Sequence, residues 1–150
     1  MESTNIKNDH AGYLLKLGIY ALIILWVYTA GSKVLDLTDF RRQLSLQPFG
    51  TSINSALVIL LPTLEILAGL LLAIERTKGL GLWLSAALLT AFTAYVFLVL
   101  IGHFAKMPCS CGGILAFLSW RSHLIFNMVF LGINLIALYK INIKKGGNGA

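Results

Sequence analysis

The chain has 150 residues, enough for one compact domain or a small helical bundle. Apolar residues make up 57% and charged residues only 12%, about half the share of an ordinary soluble domain, and the mean hydropathy is +0.81. Twelve basic and six acidic side chains cannot keep a soluble surface of this size polar, so the composition excludes an ordinary soluble domain and implies an integral membrane protein. The formal net charge of +6 does not point to nucleic acid, because the basic residues fall singly or in pairs between apolar runs instead of forming a phosphate-tracking stripe.

A bilayer core of roughly 30 Å needs about 20 mostly apolar residues in a helix. Four stretches meet that requirement: 13–32, 56–74, 80–102 and 123–141. None alternates with the period of two that a barrel strand needs, and unpaired backbone groups are too costly in lipid, so all four are read as helices. The expected fold is all-α, a four-helix transmembrane bundle over 13–143, with polar segments 1–12 and 144–150 as disordered tails. The first apolar run also resembles a secretory signal, but the small-residue pattern of a cleavage site is weak around Tyr28, Thr29, Ala30 and Gly31.

Between the first two spans, Val34, Leu37, Phe40 and Leu44 recur at spacings of three and four, with Asp36, Asp39, Arg41 and Arg42 on other faces. This pattern predicts an interfacial amphipathic helix ending at Pro48 and Gly50; a solvated linker with incidental periodicity is the alternative. With the N-terminus inside, Lys7, Lys16, Arg76, Lys78, Lys140, Lys144 and Lys145 are cytoplasmic, and Lys33, Arg41, Arg42, Lys106 and Arg121 are outside. Seven cations against five favour both termini inside a bacterial cytoplasmic membrane, with segments 33–55 and 103–122 extracytoplasmic.

The only cysteines, Cys109 and Cys111, stand one residue apart between Pro108 and Gly112-Gly113. In an extended chain their Cα atoms lie nearly 7 Å apart, at the edge of disulfide range, so closing the bond requires a bend that the proline and glycines favour. A ring around one residue is strained and removes little unfolded-state entropy, which suits an exchanging dithiol better than a structural staple. Lys106 and His103 are candidates for lowering a thiol pKa, and Lys106 is equally a snorkelling anchor. Met107 with the two cysteines is also a candidate soft-metal site for copper, whereas nothing completes a four-coordinate zinc site.

Glu65 lies in the middle of the second span, where an ionisable group costs at least about 2.5 kcal/mol and must face the bundle interior. Pro62 frees a carbonyl one turn before it, and Gly69 one turn after it allows close helix approach. His123, Asn127 and Asn134 share one face of the last helix, so a polar stripe is expected to meet Glu65 across the bundle. Interhelical hydrogen bonding is the favoured role for Asn134; for Glu65 and Asn127 both bonding and function stand open, and His123 is placed for proton transfer beside the cysteines.

Lys33 with Leu35, Asp36 and Phe40, then LPTLEILAGLLL at 61–72, Cys109-Ser110-Cys111-Gly112-Gly113 and Leu118-Ser119-Trp120 through His123 to Asn127, together resemble the MauE/DoxX-like membrane proteins over about 13–140. The resemblance implies a four-helix membrane protein that helps form disulfides in the methylamine dehydrogenase light subunit beside a thioredoxin-like partner. It therefore implies a redox role for Cys109 and Cys111 on the extracytoplasmic side, exchanging with a thioredoxin-like or cysteine-bearing protein, with Glu65, His123 and Asn127 in support. By analogy with other four-helix membrane oxidases, a quinone between the helices is the candidate cofactor, with Trp120 and His123 as the residues for it. Copper handling and a non-catalytic assembly role are the two alternatives.

Overall fold

The computed structural model describes residues 3–47, 50–103 and 119–147, with side chains described over 12–47, 50–103 and 119–143. Five helices follow one another: α1 (Ser3–Leu35), α2 (Leu37–Ser45), α3 (Thr51–Ala73), α4 (Lys78–Leu100) and α5 (Trp120–Gly147). All but α2 contain a segment long and apolar enough to cross a membrane: Gly12–Leu35, Thr51–Ala73, Lys78–Leu100 and Trp120–Ile143. The four-helix bundle expected from the apolar runs is the observed architecture. Helix α1 begins at Ser3 and α5 continues to Gly147, so both reach into the polar segments 1–12 and 144–150. The polar residues there continue helices already nucleated within the apolar spans, since propagation is far easier than nucleation.

Going round the bundle, the long helices follow the order α1, α3, α4, α5, with α1 packed closely on α3 and more lightly on α5. The central core joins Leu22 and Trp26 of α1, Ala68 and Leu72 of α3, Leu82 and Leu89 of α4, and Ala137 and Leu138 of α5. Tyr20, Ile24, Ile59, Leu70, Trp83 and Ile125 are exposed on the outside, as apolar residues in contact with lipid should be. Polar side chains are instead drawn inward: Glu65, Ser85 and Asn134 have no exposed surface.

Helix contacts are closest where glycine removes a side chain. A Cβ on Gly81 would lie 2.7 Å from the Leu72 backbone nitrogen, and one on Gly18 would lie 2.9 Å from Ile133 Cγ2. Gly69 faces Trp26 as its position beside Glu65 suggests, but a Cβ there would sit 3.6 Å from Trp26 Cβ, in ordinary contact.

Helix α2 takes up most of the predicted amphipathic segment. Asp36 caps it, accepting the Asp39 backbone N–H at 3.1 Å. Its apolar residues divide: Phe40 and Leu44 are buried against Leu57, Val58 and Leu61 of α3, whereas Leu37 is exposed and Val34 belongs to α1. Gly50, with a φ of 85°, supplies the left-handed conformation before α3. Asn54 Nδ2 donates to the Gln47 carbonyl at 3.3 Å, and the Tyr95 hydroxyl of α4 donates to Gln47 Oε1. These bonds tie the α2–α3 connection to α4.

Candidate functional site

Glu65 is fully buried, and its charge partner is Lys33 from the last turn of α1. Lys33 Nζ lies 2.8 Å and 3.1 Å from the two carboxylate oxygens and also donates to the Thr29 carbonyl at 3.2 Å. The Phe40 ring of α2 caps the ammonium at 5.8 Å. A lysine beside a helix C-terminus also gains from the helix dipole. Thus an ammonium with only 2% exposure has an anion, a carbonyl and an aromatic face around it.

His123 and Asn127, one turn apart on α5, are both buried. They share with Lys33 and Glu65 a cavity of about 20 Å³, whose other walls include Trp26, Thr29, Leu89, Phe92 and Phe126. Trp26 Nε1 donates to Ser85 Oγ at 2.9 Å, and its ring is tilted against Phe92 at a centroid distance of 6.4 Å. The indole N–H is therefore already satisfied by Ser85.

The structure thus brings Glu65, His123 and Asn127 together. Asn134 stands apart, donating from Nδ2 to the Leu82 carbonyl at 3.0 Å and so joining α5 to α4. Trp120 begins α5, half-buried, and is not part of the cavity wall. Cys109 and Cys111, with Lys106, Met107, Pro108, Gly112 and Gly113, lie outside the described residues.

A quinone does not fit the cavity that the described residues form. The space suits a single water molecule, far below the roughly 300 Å³ at which pockets for organic ligands begin. A larger groove of about 490 Å³ lies between α1 and α5, but Leu14, Gly18, Ala21, Ile133 and Ile136 line it, with Lys140 as its only charged residue. Neither Trp120 nor His123 reaches it.

Lys33 is the site residue that the sequence pattern conceals. It follows an apolar run, so it reads as the first cation of an exterior segment and is counted there for orientation. The requirement that Glu65 find a partner was the available signal, because an intramembrane carboxylate calls for a cation or a donor within reach.

No curated protein and no solved structure gives a match to this sequence. The family model described as methylamine utilisation protein MauE matches residues 11–140, from the start of the first membrane span to near the end of the last. The chain, an α-helical bundle with a buried Lys33–Glu65 pair, belongs to the MauE family.

Proposed function

We propose that the protein is a membrane thiol–disulfide exchange protein in which Cys109 and Cys111 cycle between dithiol and disulfide. The observation that carries this reading is the convergence of Lys33, Glu65, His123 and Asn127 in one cavity, with His123 and Asn127 in the first turns of α5, the helix that follows the cysteine segment in sequence. A thiolate of the pair attacks a disulfide of a thioredoxin-like or cysteine-bearing partner through a mixed disulfide, and the second cysteine resolves it. The description of the family adds methylamine utilisation as the process served.

The reading places both termini in the cytoplasm and the cysteine pair on the outer side of the bacterial cytoplasmic membrane. Burial of Lys33 supports this orientation, because a cation paired inside the bundle no longer counts toward the exterior segments. Seven cytoplasmic cations then stand against four outside.

Thiol trapping on intact cells with a membrane-impermeant reagent tests the proposal. Labelling of both cysteines after reduction is expected without permeabilisation, and Cys111→Ser should accumulate a mixed disulfide with a partner. Cysteines that stay reduced during aerobic growth, with exported proteins oxidised normally in Cys109→Ser and Cys111→Ser, would overturn it.

A further inference from the structure

Helix α2 lies against the first turns of α3, and the two enclose a groove of about 450 Å³, within the size range of pockets for organic ligands. Arg41 and Ser45 of α2, with Thr51, Asn54 and Ser55 of α3, make its polar part, and Val58 and Ile59 continue it as hydrocarbon. At 1.5 Å per residue, Thr51 to Ile59 covers about 12 Å of α3, counted from the first residue of a membrane span. The groove therefore runs from the edge of the span toward the depth of acyl chains.

Its charge is unbalanced. The carboxylate of Asp39 is taken by Arg42 at 2.6 Å, whereas Arg41 has no ion pair or hydrogen bond among the described residues. No acidic side chain among those residues lines the groove. Helix α3 starts without a side-chain cap, and Asn54 N–H is the first to reach back, to the Gly50 carbonyl at 3.0 Å. The backbone N–H groups before it have no acceptor within the helix, a setting that favours an anion. Asn54 adds an acceptor of its own. It has only 7% of its surface exposed, its Nδ2 donates to the Gln47 carbonyl, and its Oδ1 is buried with no donor among the described residues. The Ser45 and Ser55 hydroxyls donate to the carbonyls of Arg42 and Thr51, so their oxygens also remain as acceptors. A ligand that satisfies this wall combines an anion, a hydroxyl donor and a hydrocarbon chain.

We propose that the groove is a phospholipid site, holding the headgroup phosphate of an anionic, hydroxyl-bearing phospholipid such as phosphatidylglycerol on Arg41, with an acyl chain along Val58 and Ile59. The phosphodiester oxygens accept from the guanidinium and from the open end of α3, and a headgroup hydroxyl donates to Asn54 Oδ1. Choline or ethanolamine headgroups suit the wall less well, because their cationic nitrogen meets no carboxylate there. A lipid bound in this way bridges α2 to α3 and reinforces the seat from which Phe40 covers Lys33.

The full-length protein in maltoside micelles is titrated with phosphatidylglycerol and followed by native mass spectrometry, with phosphatidylcholine of the same acyl chains and glycerol 3-phosphate as separate arms. Wild type is expected to take up one phosphatidylglycerol in preference to phosphatidylcholine. Arg41→Gln should weaken that binding about tenfold or more, as loss of a charge-assisted contact does, and Arg41→Lys should weaken it less. Thr51→Asp sets a carboxylate in the wall at a helix start, where acidic residues stabilise the helix, so it should fold and bind as poorly as Arg41→Gln. Arg76→Gln removes a cation beyond the far end of α3 and should leave binding unchanged. Equal affinity for the two lipids, unchanged uptake in both Arg41→Gln and Thr51→Asp, or an equal loss in Arg76→Gln would overturn the site. Displacement of the lipid by glycerol 3-phosphate would show a site for free phosphate esters and overturn the assignment to lipid.

Discussion

Lys33 and Glu65, 32 positions apart in sequence, meet at 2.8 Å inside the bundle and lock the end of α1 to the middle of α3. Neither side chain has more than 2% of its surface exposed. In such surroundings the attraction between the charges is large, but so is the cost of stripping both of water, and the pair holds because each partner makes the other tolerable. The pairing also explains how a glutamate sits at mid-helix in a span with no other charged residue.

Removing one partner should therefore be far worse than removing both. Lys33→Met and Glu65→Leu are each expected to lower stability by about 3–5 kcal/mol, and the double substitution by clearly less than either alone. Denaturant unfolding in mixed micelles gives the coupling energy. Additive single effects would mean that the two residues act independently.

The glycines separate by what surrounds them. Gly81→Ala should cost about 1–3 kcal/mol, because its Cβ would run into the backbone at Leu71 and Leu72. Gly69→Ala, with its nearest contact at 3.6 Å, should be neutral or gain up to about 1 kcal/mol from better helix propensity. Thermal unfolding of the two variants side by side tests the difference, and equal losses would contradict the close α3–α4 approach.

Helix α2 is anchored through one side only. Phe40→Ala and Leu44→Ala should each cost about 2–5 kcal/mol and speed amide hydrogen exchange across Leu37–Ser45, whereas Leu37→Ala should change stability by less than about 0.5 kcal/mol. Phe40→Ala also strips the ammonium of its aromatic cap, so its loss should exceed that of Leu44→Ala. A similar exchange rate in all three variants would show that α2 does not depend on α3.

Asn134 and Asn127 should part company. Asn134→Leu removes a bond to the Leu82 carbonyl and is expected to cost about 0.6 kcal/mol, the average for interhelical bonds in a membrane protein, while leaving disulfide exchange at the wild-type rate. Asn127→Leu removes a polar group from the cavity and should alter exchange with little change in stability. Paired measurements of unfolding and exchange on both variants decide the matter.

The four spans were legible because a bilayer imposes a local requirement, about 20 apolar residues in succession, that any window of sequence either meets or does not. Glu65 was legible for the same reason, as the exception within such a window. The inward face of α5 followed from the spacing of His123, Asn127 and Asn134, but spacing alone does not say how far along the bundle each residue lies. That depends on how α5 is set against α3 and α4, which leaves Asn134 bonded to a backbone carbonyl and His123 in the cavity. Lys33 was misplaced for a nonlocal reason. A charge at the edge of an apolar run normally marks the water boundary, and only an acidic partner on another helix turns it inward. Likewise the periodicity of α2 announced an apolar face but not that Phe40 and Leu44 would pack on α3 while Leu37 stayed outside.

The core formed by Ile19, Leu22, Leu72, Leu82, Ala137 and Leu138 carries no side chain able to pass a proton onward. Beside that layer the Lys33 and Glu65 charges are screened by protein atoms and hardly by water, so a change of charge or polarity in the cavity wall is felt by the pair at short range and in strong measure.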